Sequence, residues 1–414
     1  MNPEIITTDI NNSLQGKWVL FVPDSIWGEL SGHRSSKYLV KAFSSLGVEV
    51  GVYAPRENYS TKQHSELQDN MTYFEQTPYT FWQNIFPSII KKEFLLILKS
   101  FEPDYVFYMG TIKNKVSIEM CIKHKIRYSY LPLTTEYYCV KDFAGLESGP
   151  CFQCFGAPIL SPFKNKCLGS RKNFFRYVKE IMFSLRSKSR ILKASKIVGY
   201  SENQLGYLET FGASRSSMLK MPIFFDPKTL EGLVTEQGNY FVMAGQNITA
   251  KGWHVLPKIL KKGKNIKYKL IMRDKKQADK FIEQNNLSGY VKDGSIEILL
   301  YLKTHREILE IIAKSRGVLV PSLYATTGEF YFMEALGLSK PVIVFDAGIH
   351  SEVIENEKNG MMVSVGDLDG FYKNIQRVNN DDNLYKTLSE GSKDLFENLL
   401  SFKRFKSAMG TYFL

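Results

Sequence analysis

The chain has 414 residues, 44% hydrophobic and 23% charged, so it can bury a core and form two or three domains of about 100–200 residues. Its net charge of +12 favours an anionic partner: phosphorylated substrates, a membrane surface or nucleic acid. The sequence shows no zinc-finger spacing or ribonucleoprotein motif, so we expect no nucleic acid. Residues 1–17 lack a signal-peptide pattern, and no apolar run reaches about 20 residues. We therefore expect a cytoplasmic protein, soluble or peripheral at the inner face of the cell membrane.

Short apolar runs alternate with segments of helical apolar spacing along the whole chain, a pattern that predicts parallel sheets covered by helices. In the first half, strands are expected at residues 17–23, 48–54, 105–110, 127–133 and 196–201, with a helix at 35–46. In the second half, they are expected at 240–245, 267–272, 296–302, 317–321, 341–347 and 361–365, with helices at 305–314 and 329–338. The prediction is an α/β protein of two doubly wound, Rossmann-like domains that face a cleft and join near residues 222–239.

Residues 318–366 contain the most informative stretch of the sequence. A buried strand ends at Pro321, a Thr-Thr-Gly loop follows, and a helix begins near Glu329. The positive end of that helix and its free N–H groups favour a bound phosphate. Glu334 lies about one and a half turns inside the helix, where a carboxylate can accept two hydrogen bonds from a ribose diol. Taken alone, either glutamate could equally be a solvated helix carboxylate.

Many residues of this stretch match one family pattern in the same order. The matching residues are Pro321-Ser322, Glu334-Ala335, Ser339-Lys340-Pro341-Val342, Glu352-Val353-Ile354, Asn359-Gly360 and Gly366-Asp367. The sequence thus resembles the retaining glycosyltransferases of the GT-B fold, family 4. The resemblance implies transfer of a sugar from a nucleoside-diphosphate sugar without a catalytic metal, with Glu334 at the ribose.

The resemblance extends upstream to the segment Ala244–Leu256, which begins AGQNITAKG. Family members have Gly-Arg there, with Lys-Gly five residues after the Arg, and the Arg and Lys bind the donor diphosphate. Gly245 and Lys251 match, whereas Gln246 stands in place of the Arg. Lys251 is therefore expected to provide most of the charge at the diphosphate. The alternative is an ordinary surface lysine in a turn.

The sugar end of the predicted donor site departs from the family pattern. Family members have a Glu eight residues before the ribose-binding Glu, and Thr326 occupies that position here. The loop looks one residue longer than usual, so Glu329 is the substitute, and backbone N–H groups from Thr327 to Phe330 are further candidates. The candidate catalytic residues are Lys251, Glu329 and Thr326. The candidate donor-binding residues are Gly245, Gln246, Lys251, Thr327, Gly328, Phe330 and Glu334.

The acceptor side is predicted in the N-terminal half. The resemblance places Gly28, Gly32 and His33 at the cleft, although a plain strand-to-helix turn explains this loop equally well. Glu136 follows a middle strand where many family members have a His. We expect an acceptor-binding domain over 1–225, a nucleotide-sugar domain over 226–390, and a C-terminal helix at 391–414 that packs back on the first domain. The expected acceptor is a glycan or lipid-linked glycan of bacterial surface polysaccharide, such as lipopolysaccharide.

Four of the five cysteines lie close together in the sequence, within an insertion at about 139–169. A Cys-x-x-Cys pair with a further Cys on each side suits a tetrahedral thiolate site, so a structural zinc is one interpretation. The alternatives are ordinary thiols or a disulfide. The candidate metal ligands are Cys139, Cys151, Cys154 and Cys167.

Residues 164–196 are rich in Lys and Arg, and they include an apolar stripe formed by Phe174, Phe175, Val178, Ile181, Met182 and Leu185. Such a helix can lie on an anionic membrane surface. The alternative is a helix packed on its own domain with a solvated basic face. For the whole protein, the alternative to an enzyme is a non-catalytic sugar-nucleotide-binding protein or partner subunit of the same fold, which the departures at Gln246 and Thr326 favour.

Overall fold

The computed structural model describes residues 16–409 apart from 25, 27–30, 56–70, 78–86, 111–113, 136, 142, 147–148, 157–159, 169–173, 264, 301, 303 and 325–327. The chain divides into two compact units. The first contains the chain up to Phe143, the segment Phe152–Phe225 and the chain from Phe402 onward. The second contains Ala144–Cys151 and Asp226–Ser401.

A seven-stranded parallel sheet forms the centre of the first unit. Its strands are β1 (Trp18–Pro23), β2 (Glu49–Pro55), β3 (Met71–Gln76), β4 (Tyr105–Gly110), β5 (Tyr128–Pro132), β6 (Lys196–Gly199) and β7 (Met218–Lys220). They lie in the order β3-β2-β1-β4-β5-β6-β7. Apolar runs such as residues 19–22 are fully buried, because both faces of a parallel sheet are covered.

Seven helices connect these strands in the described part of the chain: α1 (Ser31–Ser44), α2 (Ser88–Phe101), α3 (Lys115–Lys123), α4 (Gln153–Gly156), α5 (Leu160–Lys164), α6 (Phe174–Leu192) and α7 (Glu202–Thr210). Helix α1 packs on the sheet through Phe43, whose ring contacts Phe21 edge to face at 5.1 Å. Helix α7 is capped by Ser201, which accepts a hydrogen bond from the Gln204 N–H at 3.0 Å.

The second unit has a six-stranded parallel sheet. Its strands are β8 (Tyr240–Ala244), β9 (Lys267–Ile271), β10 (Ile296–Leu299), β11 (Gly317–Val320), β12 (Val342–Phe345) and β13 (Met361–Val363). They lie in the order β10-β9-β8-β11-β12-β13. The direction of winding therefore reverses between β8 and β11, which is where doubly wound sheets open a ligand crevice at the carboxyl ends of their strands.

The helices of the second unit are α8 (Leu256–Leu260), α9 (Lys275–Gln284), α10 (Ser288–Lys292), α11 (His305–Ala313), α12 (Phe330–Gly337), α13 (His350–Val353), α14 (Leu368–Asn380) and α15 (Asp382–Leu399). Helix α14 packs on the sheet through Phe371, 4.9 Å from the ring of Phe345. The last helix, α16 (Phe402–Met409), belongs to the first unit, where Phe405 contacts Phe43 at 6.0 Å.

The predicted fold class, two parallel-sheet α/β units, is confirmed. Every strand predicted from the sequence is present, with ends that differ by at most three residues. Two strands of the parallel sheets were not predicted. Strand β3 lies at the sheet edge and buries only its last residue, so its sequence lacks a continuous apolar run. Strand β7 has only three residues, which is too short for a periodic pattern.

Candidate functional site

The candidate site lies at the carboxyl ends of β8 and β11, the two strands on either side of the winding reversal. After β8 the chain forms a 3₁₀ turn, Thr249–Lys251, which ends at Lys251. After β11 the chain passes through Ser322 and Tyr324 and reaches Glu329, the N-cap residue of α12. The fold thus brings together two segments that lie almost 80 residues apart in the sequence.

Gly252 fixes how closely these two segments approach. Its φ of +76° lies in the left-handed region, and a Cβ built on it would lie 1.9 Å from the carbonyl oxygen of Pro321. Two residues after Pro321 on one segment and two residues before Gly252 on the other, the Leu323 N–H donates a hydrogen bond to the Ala250 oxygen at 2.8 Å. Glycine is therefore needed here for both its backbone freedom and its lack of a side chain.

Lys251 and Glu329 form an ion pair in which the Lys251 ammonium donates to the Glu329 carboxylate. The hydroxyl of Ser322 donates to the same carboxylate, 2.8 and 2.9 Å from its two oxygens. Glu329 is buried, whereas 23% of the Lys251 side chain is exposed. The pair is thus open to solvent on its positive side, which is the side that an anionic ligand would approach.

Both members of this pair are charged at neutral pH. Burial favours the neutral acid of Glu329, but the Lys251 ammonium and the Ser322 hydroxyl together hold the pKa of Glu329 below its usual value. Burial also favours the neutral amine of Lys251, but the Glu329 carboxylate outweighs this effect and raises the pKa of Lys251. Lys251 therefore provides a permanent positive charge at the site.

Helix α12 presents a positive end at the same place. Glu329 occupies the N-cap position, but within the described residues its side chain makes no capping hydrogen bond, because it is turned toward Lys251 and Ser322. The first-turn N–H groups, which begin at the buried Phe330, receive no cap from it. Uncapped N–H groups at a helix start bind anions readily. Gly328, just before the helix, is half-buried.

Glu334 lies inside α12, and only 1% of its side chain is exposed. Its Oε1 lies 2.8 Å from Nε2 of His305, the first residue of α11. Thr304 caps α11 by accepting a hydrogen bond from the Glu307 N–H at 3.3 Å, which fixes the start of that helix. Sequence reasoning did not find His305, because 29 residues separate it from Glu334 and no local spacing links the two.

His350 is a second histidine of the site that sequence reasoning left aside. It is fully buried at the start of α13, and its ring contacts Phe332 of α12 with centroids 4.8 Å apart. Burial lowers the pKa of His350, and the nearby Glu329 carboxylate only partly opposes this effect. The imidazole is therefore neutral at pH 7, and it packs under the Glu329 end of the site rather than adding charge.

Gly245 and Gln246 begin the segment that leads to Lys251, and both are exposed. The φ of Gly245 is +128°, and a Cβ built on it would have no atom within 4 Å, so the space beside it is open. Thr326 and Thr327 lie outside the described residues. The structure thus joins Lys251 to Glu329, and it places Gly245 and Gln246 on the adjoining turn.

A short hairpin from the predicted insertion packs on this turn. Its strand Gly145–Leu146 pairs with Gly149–Pro150 and lies against Thr249–Lys251. A Cβ built on Gly149 would lie 3.0 Å from Cγ1 of Val365. The hairpin therefore supports the Lys251 turn and the chain after β13, and it belongs to the second unit.

Of the predicted acceptor-side residues, Gly28 and Glu136 lie outside the described residues. Gly32 and His33 lie in the first turn of α1, and a Cβ on Gly32 would lie 3.8 Å from Leu133, just after β5. Nδ1 of His33 and Oγ1 of Thr134 are both buried without a hydrogen-bond partner among the described residues. These two atoms are available to a polar ligand of the first unit.

The predicted zinc site is wrong for the described structure. Within it, no group of three or more Cys, His, Asp and Glu side chains is arranged to hold a metal ion. Cys139 is buried after β5, while Cys151 ends the hairpin segment of the second unit. Cys154 lies in α4, and Cys167 follows α5. Tetrahedral zinc needs all four sulfurs within about 2.3 Å of one ion, and the described side chains form no such group.

Comparison with known proteins agrees with this geometry. Residues 230–395 match the family model of glycosyl transferases group 1. The match spans nearly the whole of the second unit and includes Lys251, Glu329 and Glu334. Over 158 residues the chain is 28% identical to an uncharacterised glycosyltransferase of Methanocaldococcus jannaschii. That region is 38% of this chain and 42% of the relative, so less than half of either protein is aligned.

Solved structures of similar fold cover almost the entire chain. Sucrose-phosphate synthase from Thermosynechococcus elongatus superimposes with a TM-score of 0.70 at 12% identity, over 96% of this chain and 98% of that one. Anabaena HepE in complex with UDP-glucose gives a TM-score of 0.68 at 13% identity, over 95% and 98% of the chains. At these identities the likeness shows the fold alone, which is that of GT-B glycosyltransferases.

Proposed function

We propose that this protein is a glycosyltransferase that moves a hexosyl or related sugar from a nucleoside-diphosphate sugar to an acceptor. The observation that supports this best is the meeting of Lys251 with the start of α12, at the winding reversal of a sheet that matches the group 1 family model. A fixed cation and an uncapped helix start at one place suit a diphosphate. Glu334, inside the same helix, is suited to the ribose hydroxyls.

The proposed chemistry follows family 4 and retains the configuration at the anomeric carbon. The acceptor hydroxyl attacks from the face on which the diphosphate leaves, the bond to the leaving oxygen breaks, and a diphosphate oxygen takes the hydroxyl proton. Lys251 and the first N–H groups of α12 stabilise the negative charge that develops on the diphosphate. This route needs no side-chain nucleophile and no catalytic metal. Thr326, Thr327, Gly328 and Glu329 would border the sugar.

We place the acceptor in the first unit, near Gly32 and His33. Nδ1 of His33 and Oγ1 of Thr134 are buried and have no hydrogen-bond partner in the described part of the chain, which supports a polar acceptor there because both atoms can hydrogen-bond a sugar hydroxyl. Gly28 and Glu136 are further candidates. The proposed acceptor is a glycan or lipid-linked glycan, and the proposed role is assembly of a bacterial surface polysaccharide such as lipopolysaccharide.

A donor panel tests the proposed function. Thermal unfolding is measured with UDP-, GDP-, ADP- and dTDP-sugars, and one nucleotide should raise the transition temperature, because a ligand that binds only the folded state stabilises it. Transfer and hydrolysis of the selected donor are then assayed with lipid and glycan acceptors. Lys251→Ala should remove most of the shift and most of the turnover, and unchanged turnover in this variant would contradict the proposed role of Lys251.

The second candidate is a protein of the same fold that binds a sugar nucleotide without transferring the sugar. Gln246 favours it, because an amide replaces the second cation of the family pattern and leaves Lys251 alone at the diphosphate. Saturable donor binding without transfer or hydrolysis, over the full acceptor panel, would support this candidate over the enzyme.

A further inference from the structure

Helix α6 (Phe174–Leu192) exposes an unusual number of large apolar side chains. Phe175 is 88% exposed, and Phe174, Val178, Met182 and Leu185 are each at least 40% exposed. Their spacing of three or four residues places them on one stripe of the helix. Ile181, which the sequence pattern also placed in the stripe, is instead buried with Tyr177. The stripe and the buried face are thus two different sides of α6.

The basic side chains of α6 border this stripe. The helix has five basic residues and one acidic residue, Glu180. At about 100° per residue, Lys179 and Arg186 lie beside the stripe, within about 40° of Phe175, and Arg176 lies further round the helix toward the buried face. All three are exposed. Around the helix the order is therefore buried face, apolar stripe and basic face, the arrangement of helices that lie in a membrane interface.

The positive charge extends beyond α6 to the neighbouring helix α3. Burial, together with the positive charges of Arg190, Arg186 and Lys179, holds the pKa of Lys115 below its usual value. Arg190 is itself paired with Glu119 at 2.5 Å, whereas Arg176, Lys179 and Arg186 make no ion pair among the described residues. A field of one sign, beside an apolar stripe, requires an anionic partner that also accepts apolar side chains.

We infer that the exposed stripe of α6 and its basic border dock the protein on an anionic membrane surface. The apolar side chains would enter the boundary between headgroups and acyl chains, and the basic side chains would contact anionic headgroups. A second copy of the chain fits less well, because a two-fold contact along the stripe would bring the two basic borders together. No helix among the described residues is long and apolar enough to span a membrane.

The test is flotation of the full chain with phosphatidylcholine vesicles that contain either no anionic lipid or about 30% phosphatidylglycerol. The chain should float with the anionic vesicles and largely stay behind with the neutral ones, and binding should fall at high salt. Reversing two charges with Arg176→Glu and Lys179→Glu should weaken binding roughly 25-fold or more, at about fivefold per charge removed. Replacing Phe175 and Met182 by serine should weaken it about tenfold or more.

Matched variants of α2 are the controls. Leu96 is 67% exposed, and Lys91 and Lys92 are exposed on the same helix. The double change Lys91→Glu with Lys92→Glu alters charge as much as the α6 charge variant, and Leu96→Ser removes one exposed apolar side chain. Both should leave vesicle binding within about twofold of the unaltered chain. All substituted side chains are exposed, so circular dichroism should show unchanged folding.

Three outcomes would overturn the inference. The chain may fail to float with anionic vesicles, the α2 variants may lose as much binding as the α6 variants, or the α6 serine variant may convert an oligomer to a monomer with vesicle binding unaltered. The last result would assign the stripe to a second copy of the chain. None of these measurements depends on donor binding, so they test the membrane contact independently of the proposed transferase activity.

Discussion

Nε2 of His305 lies 2.8 Å from Oε1 of Glu334, a carboxylate whose side chain is almost completely buried. A carboxylate has about four lone-pair sites on its two oxygens, so Glu334 can accept hydrogen bonds from ribose hydroxyls beside its contact with His305, and the histidine fixes the direction in which the carboxylate points. We therefore regard His305 as a positioning residue for Glu334.

The first prediction concerns His305→Ala. Loss of a hydrogen bond to a carboxylate costs about 1.5–3 kcal/mol, so the affinity for the preferred nucleoside diphosphate should fall about tenfold or more, with a smaller change in kcat. Titration calorimetry with the nucleotide and with its 2′-deoxy analogue measures the effect. The variant should lose less affinity for the analogue, and His305→Gln should recover part of the loss. An equal loss for both ligands would mean that His305 does not act through Glu334.

The second prediction separates the structural role of the Lys251–Glu329 pair from its role in binding. Lys251→Met leaves the Glu329 carboxylate buried without its counter-ion, so the free energy of unfolding should fall by roughly 3 kcal/mol. Glu329→Gln should also be destabilising. The double variant should regain most of the stability, because no uncompensated charge remains.

Diphosphate binding should behave differently in the same variants. Both variants that lack Lys251 should bind the nucleoside diphosphate at least tenfold more weakly, since a charge-assisted hydrogen bond is lost in each. Urea unfolding and calorimetry measure the two properties side by side. If the double variant recovered binding as well as stability, Lys251 would have only a structural role.

The third prediction uses two glycines with nearly equal φ. Gly252→Ala should destabilise the protein by about 3 kcal/mol or more and weaken nucleotide binding, because the new methyl group would overlap the Pro321 oxygen. Gly294 has a φ of +77° but open space around it, so Gly294→Ala should cost only about 1 kcal/mol from the left-handed backbone. An equal loss in the free energy of unfolding for the two variants would show that the close approach of Gly252 to Pro321 does not contribute to stability.

The fourth prediction is a pH effect at Lys340. This side chain is 1% exposed and donates hydrogen bonds to the carbonyl oxygens of Ser315 and Glu236, at 3.1 and 2.5 Å. Burial lowers the pKa of Lys340 to about 8, while the Glu236 carboxylate opposes the effect. Between about pH 8 and its ordinary pKa of 10.5, the unfolded chain binds more protons than the folded chain. The free energy of unfolding therefore rises with pH in that range.

From pH 7 to 9.5 this contribution should amount to about 2 kcal/mol. Lys340→Met is the control, because it fills the same space without a titrating group. Urea unfolding of both proteins at several pH values gives the difference between them, which cancels the other titrating groups. The prediction fails if the free energy of unfolding changes with pH by the same amount in both proteins.

The sequence predicted the parts of the site that depend on local pattern. The strand end at Pro321 and the helix start near Glu329 could be placed because apolar runs and loop signals mark those ends. Lys251 and Glu334 were singled out by the resemblance to family 4. The ion pair between Lys251 and Glu329 could not be predicted, since it depends on the approach that Gly252 allows between two distant segments. His305 was missed for the same reason, because a long-range contact leaves no local spacing. His350 was left aside because a lone histidine is more often structural.

For the cysteine cluster, the sequence predicted a metal site that the described structure does not contain. Four cysteines within 29 residues suggested a shared metal, but closeness in sequence does not guarantee closeness in space. The chain between them folds into two short helices and a hairpin, and the hairpin belongs to a different unit from its flanking residues. Only the fold could show that Cys151 is assigned to the second unit, while Cys139, Cys154 and Cys167 belong to the first.

The assignment of Ala144–Cys151 to the second unit makes the two halves of this protein inseparable by a single cut. A recombinant second domain beginning at Asp226 would lack the hairpin that supports the Lys251 turn, and Val365 would lose the chain that covers it. A domain exchange between related proteins would likewise have to transfer two segments together. These are the eight residues Ala144–Cys151, which interrupt the first unit in the sequence, and the rest of the second unit, Asp226–Ser401.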